Sequence, residues 1–138
     1  MSLSPRVIAL LGFGEAGSAI ARGLCAAEGW RGPSRPGDNA PRRVIAIDPA
    51  LDKDARGAAL GKEARRLDVA IEDRYTAALS EADLVICAVQ GEHALEAAEA
   101  AAPLLKKGAH YLDLCTVTGR MSDEDRAPAT AYGRFLDA

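Results

Sequence analysis

Arg6-Val7-Ile8-Ala9-Leu10-Leu11-Gly12-Phe13-Gly14-Glu15-Ala16-Gly17 is the stretch on which the fold turns. Its first half is a continuous apolar run, the pattern of a strand buried on both faces of a parallel sheet. Its second half is a turn with three glycines. Downstream, over residues 15–28, Ala16, Ile20, Leu24 and Ala27 recur at helical spacing. Between a buried strand and an amphipathic helix, each missing side chain has a use. Gly12 allows the tight turn, Gly14 lets a pyrophosphate approach the backbone, and Gly17 lets the helix pack closely on the strand. The helix N-terminus then offers free amides and a positive dipole end to phosphate. The plainer reading is a strand–turn–helix whose glycines serve packing alone. Gly12, Phe13, Gly14, Glu15, Ala16 and Gly17 together form the first candidate cofactor-binding segment. Within it Glu15 reads as structural, its charge suiting the first helical turn.

Outward from this stretch, strand and helix patterns alternate. Val44–Ile47 is a second buried strand, ended by Asp48-Pro49, and a polar helix weakened by Gly57 and Gly61 follows over residues 52–66. A third short strand falls at 69–71, a helical turn at 76–81 and a fourth strand at 84–89. An alanine-rich helix spans 92–105 and closes on Lys106-Lys107-Gly108. A fifth strand covers 111–115, a last helix opens near Ser122, and Arg134-Phe135-Leu136 has the pattern of a sixth strand. Residues 29–43, rich in glycine, proline and arginine, form a loop. The alternation predicts an α/β fold: a doubly wound parallel sheet of the Rossmann type, three layers α/β/α, with five to six strands and right-handed crossovers. Residues 1–138 read as one dinucleotide-binding domain.

The remaining candidates lie at carboxyl ends of strands. Asp48 ends the second strand, where an acid takes the adenosine ribose hydroxyls. It lies further beyond Gly17 than the usual offset of about 20 residues, and the 29–43 loop accounts for the excess. That loop precedes the strand, so its arginines stand at the far edge of the sheet. An acid at position 48 repels a 2′-phosphate and favours NAD over NADP, while Lys53 and Arg56 keep NADP open. Asp48 can also be a turn residue ahead of Pro49. Val89 and Gln90 end the fourth strand, beside the crevice where strand order reverses. Their backbone suits a nicotinamide ribose, and Gln90 is equally readable as a solvated loop residue. Cys115, Thr116, Val117 and Thr118 end the fifth strand and form the candidate substrate-binding set. His110 lies at the opposite edge and His93 reads as solvated. Cys87 and Cys25 read as core residues.

Composition narrows the classes. The chain has 138 residues, 49% hydrophobic and 27% charged, with a net charge of −3. That suits one globular domain with a real core. No concentrated basic surface points to nucleic acid, and no apolar run approaches the ~20 residues that span a bilayer. Three cysteines without paired metal spacing predict reduced thiols, a cytoplasmic protein and no metal site. No hydrolase nucleophile motif occurs.

The segments Val7–Leu24, Ala82–Val89 and Tyr111–Thr116, taken in order, resemble the β-hydroxyacid dehydrogenase superfamily, whose members include 6-phosphogluconate and 3-hydroxyisobutyrate dehydrogenases. Gly-Phe-Gly-Glu-Ala is most similar to a branch related to 6-phosphogluconate dehydrogenase. The resemblance implies an NAD(P)-binding domain of an oxidoreductase that moves hydride between nicotinamide and a small hydroxyacid-like substrate. It implies that Asp113–Gly119 matches the family's substrate-binding segment, with Cys115 where serine is usual and Gly119 where proline is usual. It also implies a catalytic lysine in an all-helical substrate and dimerisation domain that this chain lacks, so no residue here inherits that role, and a homodimer at full length. Two alternatives stay open: a free-standing nucleotide-binding or sensor module without catalysis, and an imine- or pyrroline-type reductase.

Overall fold

The computed structural model describes residues 5–27 and 42–114. They form β1 (Val7–Leu11), α1 (Glu15–Ala27), β2 (Arg43–Ile47), α2 (Asp54–Leu67), β3 (Ala70–Glu72), β4 (Leu84–Cys87), α3 (Ala94–Ala101) and β5 (His110–Asp113). All strand pairings are parallel, in the order β3-β2-β1-β4-β5. The order runs one way from β1 through β2 to β3 and the other way through β4 to β5. The crevice of a doubly wound sheet therefore opens at the carboxyl ends of β1 and β4.

β1 is central, and all five of its residues are buried. Alternation along it sorts the core into two layers. Val7, Ala9 and Leu11 pack with Val85, Cys87, Tyr111 and the α3 alanines Ala97, Ala98 and Ala101. Ile8 and Leu10 pack with Val44, Ala46 and Ile86, together with Ala21 of α1 and Ala64 of α2. The sheet thus lies between α1 and α2 on one face and α3 on the other. Small residues on α3 let that helix sit close, since Ala94, Ala97, Ala98 and Ala101 are its buried positions.

Several boundaries differ from the sequence expectation for local physical reasons. On α1 the inward face falls at Gly17, Ile20, Ala21, Leu24 and Cys25, while Ala16 is exposed. The stripe is rotated because Gly17, not Ala16, is pressed against the turn. The polar helix does not begin at Asp52. A tight 3₁₀ turn at Pro49–Asp52 comes first, and Asp54, at φ 49°, marks the break before α2. Gly57 is more than a weak point in α2. A Cβ there would stand 2.2 Å from the carbonyl oxygen of Leu51, so glycine lets the 49–52 turn lie against the helix. The alanine-rich helix is shorter than its pattern, flanked by 3₁₀ turns at Gly91–His93 and Ala102–Leu104. Pro103 has no amide proton to extend the α-helical ladder. β4 stops at Cys87 rather than Val89, because its partner β1 turns away at Gly12 just after the Ala88 amide has donated to the Leu11 carbonyl at 2.8 Å. The helix near Ser122 and the sixth strand lie outside the described residues.

The amino-terminal edge of the sheet is tied by Asp83. Its Oδ2 accepts the amides of Arg6 at 2.8 Å and Val7 at 3.0 Å, and its Oδ1 accepts Lys106 Nζ. Burial opposes the charge, but Lys106 and the two amides outweigh it and hold the carboxyl below its ordinary 3.8. Arg43 pairs with Glu81 at the same edge. Arg22 of α1 reaches Glu63 of α2, which also pairs with Arg66 one turn along its own helix; these guanidiniums, Arg66 foremost, hold the Glu63 carboxyl down to about 2.

Candidate functional site

The glycine turn is built by what each position meets. Gly12 has φ +93°, a backbone setting that strongly favours glycine. Its amide donates to the Ile47 carbonyl at 2.8 Å. A Cβ at position 12 would lie 2.9 Å from the Ala88 carbonyl oxygen and 3.2 Å from Val89 Cγ1. The turn is therefore wedged between the ends of β2 and β4, at the reversal of strand order. A Cβ at Gly17 would lie 2.0 Å from the Gly12 carbonyl oxygen, so only glycine lets α1 start this close to β1. Gly14 is the opposite case: among the described residues a Cβ there meets nothing within 4 Å. Its missing side chain leaves open space on the outer side of the turn.

Gly14 is also the residue at which α1 opens, since the Ser18 amide donates to its carbonyl at 2.9 Å. A residue at this position normally caps the helix with a side-chain oxygen. Glycine has none, so the amides of Glu15, Ala16 and Gly17, which have no partner one turn back, are left for another acceptor. Ser18 does not supply one: its hydroxyl donates to the carbonyl of Gly14 at 2.6 Å. Glu15 and Ala16 are exposed. Phe13 is fully buried among Leu10, Val44 and Ala21, anchoring the turn from beneath. The cradle has the form that a pyrophosphate requires: open space at Gly14, undercapped amides and a helix dipole.

Asp48 stands beside it at the end of β2 and is 7% exposed. Its Oδ2 accepts the Phe13 amide at 2.9 Å and its Oδ1 accepts the Ala50 amide at 2.9 Å. The second bond caps the 49–52 turn. The turn-residue reading of Asp48 is therefore realised, and the acid also reaches the glycine turn. The Asp-Pro pair signalled the cap, because proline favours the first position after it. The bond to Phe13 had no sequence signal. Arg43 sits at the opposite edge of the sheet, paired with Val7 in register, and so is remote from Asp48.

On the other side of the crevice, Val89 is half-buried against the core and Gln90 is exposed. The Gln90 carbonyl accepts the His93 amide at 2.8 Å. The amide of Leu114 donates to the Cys87 carbonyl at 3.0 Å, so the end of β5 reaches the same edge. Cys115, Thr116, Val117 and Thr118 lie outside the described residues. His93 is exposed between Glu92 and Glu96, each 3.6 Å away. His110 begins β5 at the far edge. Cys87 is core, whereas Cys25 is only half-buried; burial, with Asp68 adding, pushes its thiol up. Among the described residues no three His, Cys, Asp or Glu side chains could hold a metal, and no helix is long and apolar enough to cross a membrane.

Comparison with known proteins agrees with this geometry. The family described as NADP oxidoreductase, coenzyme F420-dependent, matches residues 7–115. A conserved hypothetical protein from Sinorhizobium meliloti 1021 superposes with a TM-score of 0.69 at 30% identity, over 92% of this chain and 37% of its own. The 3-hydroxyisobutyrate dehydrogenase of Mycobacterium tuberculosis, solved with L-serine, gives 0.65 at 22% identity, over 94% and 38%. Prephenate dehydrogenase from A. aeolicus, solved with hydroxyphenyl propionate and NAD+, gives 0.62 at 17% identity, over 98% and 41%. The last two likenesses show a shared fold. The chain thus spans well under half the length of each of these three proteins. No curated protein matches the sequence significantly.

Proposed function

This chain belongs to the family of coenzyme F420-dependent NADP oxidoreductases, and from that membership we propose that it is the cofactor-holding part of a dehydrogenase of the β-hydroxyacid type. The observation that carries the reading is the open space at Gly14 over the undercapped start of α1, at the point where strand order reverses. Gly12 to Gly17 would hold the pyrophosphate, and Val89 and Gln90 would flank the nicotinamide ribose. Cys115 to Thr118 would meet a small hydroxyacid-like substrate. The nicotinamide, when bound, supplies or accepts hydride; the residues of this chain bind it, orient it and supply fixed dipoles.

Asp48 is proposed to accept a ribose hydroxyl with its remaining lone pairs. Its negative charge disfavours a 2′-phosphate, so NAD is the proposed nucleotide even though the family's description names NADP. The group that exchanges the substrate proton is proposed to come from a helical part beyond these 138 residues, which would also form the dimer. Free thiols fit a reducing, cytoplasmic setting. Fluorescence titration tests the proposal. The chain binds NADH at least about tenfold more tightly than NADPH, a difference of about 1.4 kcal/mol, and Asp48→Ala narrows the ratio. Equal affinities, unchanged by the substitution, would remove Asp48 from the ribose site. Turnover of a hydroxyacid by the 138-residue chain would contradict the division of labour.

A further inference from the structure

The two oxygens of Asp48 are bound to two different segments, and the consequence reaches past the ribose. Phe13 and Asp48 are 35 positions apart, and their bond is buried. The neighbouring pair repeats the tie, since the Gly12 amide donates to the Ile47 carbonyl. Two successive residues of the turn are thus fastened to two successive residues at the end of β2. The Gly12 tie uses a neutral carbonyl. The Phe13 tie uses a carboxylate, whose bond to an amide is roughly twice as strong as a neutral one, and burial raises its strength further. Phe13 immediately precedes Gly14. Its amide is thus fastened to the end of β2 one residue before α1 opens. The other carboxylate oxygen is fixed by Ala50, in a turn that Gly57 allows to lie against α2. The acid is therefore held by the 49–52 turn, which lies against α2, and itself holds the glycine turn.

We infer that Asp48 is a positioning residue for the pyrophosphate site. It sets the conformation of the glycine turn through the Phe13 amide, and so supports binding of a dinucleotide whatever its ribose carries. This rests on the proposed nucleotide site and adds a role that contact with a ribose hydroxyl does not supply. If the acid acted through that contact alone, its removal would not weaken a dinucleotide that lacks the adenosine hydroxyls. If it positions the turn, that dinucleotide weakens too.

Asp48→Ser separates the two. Serine can still cap the 49–52 turn, but its single short hydroxyl cannot also bridge to Phe13. Two readouts apply to the chain. The first is amide hydrogen exchange at Phe13, with Gly12 as internal reference because its acceptor is a backbone carbonyl. The second is affinity for NADH and for an NADH analogue built on 2′,3′-dideoxyadenosine. Exchange at Phe13 is expected to accelerate at least about tenfold, with Gly12 within about twofold of wild type, and both affinities to fall about tenfold. Unchanged exchange at Phe13, or unchanged affinity for the dideoxy analogue, would overturn the inference. Should the serine variant fail to fold, Asp48→Asn, with one acceptor oxygen for two amides, carries the same comparison. Equal wild-type affinity for NADH and NADPH would sink the proposed NAD preference, whereas a loss common to NADH and the analogue would still support the positioning role.

Discussion

Replacing Gly14 separates nucleotide binding from folding more cleanly than any other change in this chain. No described heavy atom lies within 4 Å of a Cβ built there, and its φ is not positive. A Cβ at this position therefore meets no steric obstacle among the described residues. The helix-opening position prefers glycine to alanine, a cost under about 1 kcal/mol. The reduced freedom of the unfolded chain offsets about 0.4–1 kcal/mol of it. Net stability should stay within about 1 kcal/mol, a melting shift of about 4 °C or less at this size. The space the new side chain takes is the space the proposed pyrophosphate needs. Even one hydrogen bond to a charged phosphate, worth about 1.5–3 kcal/mol, corresponds to a loss of about tenfold to a hundredfold in affinity. Gly14→Leu should therefore melt near the wild type and bind NADH at least about tenfold more weakly. Gly17→Ala is the control with the opposite signature. Its Cβ would sit 2.0 Å from the Gly12 carbonyl oxygen. The backbone itself must move, with a cost of about 3 kcal/mol or more, so the melting point drops whether or not nucleotide is added. Differential scanning fluorimetry and NADH titration on both variants read the contrast. A folded Gly14→Leu protein that binds NADH within about threefold of wild type would refute the placement of the pyrophosphate.

Two further outcomes concern the scaffold. Gly57→Ala should lower the melting temperature: helix propensity favours alanine by about 1 kcal/mol, but its Cβ would stand 2.2 Å and 2.6 Å from two carbonyl oxygens of the 49–52 turn. A melting point equal to or above that of wild type would show that the turn yields freely. Asp83→Asn should cost about 1–2 kcal/mol near neutral pH, measured by urea unfolding across pH. Because the folded carboxyl lies below its ordinary 3.8, the unfolded state binds more protons in between. Its contribution is present above that ordinary value and is lost as pH falls through the folded one. The variant should lack this part of the acid limb, and parallel limbs in the two proteins would count against the assignment.

What the sequence reveals and what it hides divide along the distance over which each cause acts. β1 was readable because five consecutive buried residues leave no polar face to orient, which is the signature of a central parallel strand. The reversal point was readable because the glycine turn and the end of β4 carry their own local signals. Ends of elements were less so. Ala88 and Val89 continue the apolar pattern of β4, yet the strand stops because its partner turns at Gly12, a fact of pairing and not of propensity. Pro103 sat in plain view within the alanine-rich stretch, but the pattern on either side outweighed it.

The three glycines of the turn make the same division inside the site. The residue type says only that a side chain is absent. What stands where the side chain would be decides the role: the Ala88 carbonyl just past β4 at Gly12, the turn's own carbonyl at Gly17, and, among the described residues, open space at Gly14. Asp48 obeys the same logic. Its position at the end of β2 suggested a ribose contact, which remains a proposal, and the following proline made the cap legible. The bond to Phe13 was not, because it joins residues that only the β1–β2 pairing brings together. A site built on such pairings depends on residues that never touch the ligand. Changes at Gly57 or along the 49–52 turn should therefore alter nucleotide affinity through Asp48, whose carboxylate that turn holds by the Ala50 amide.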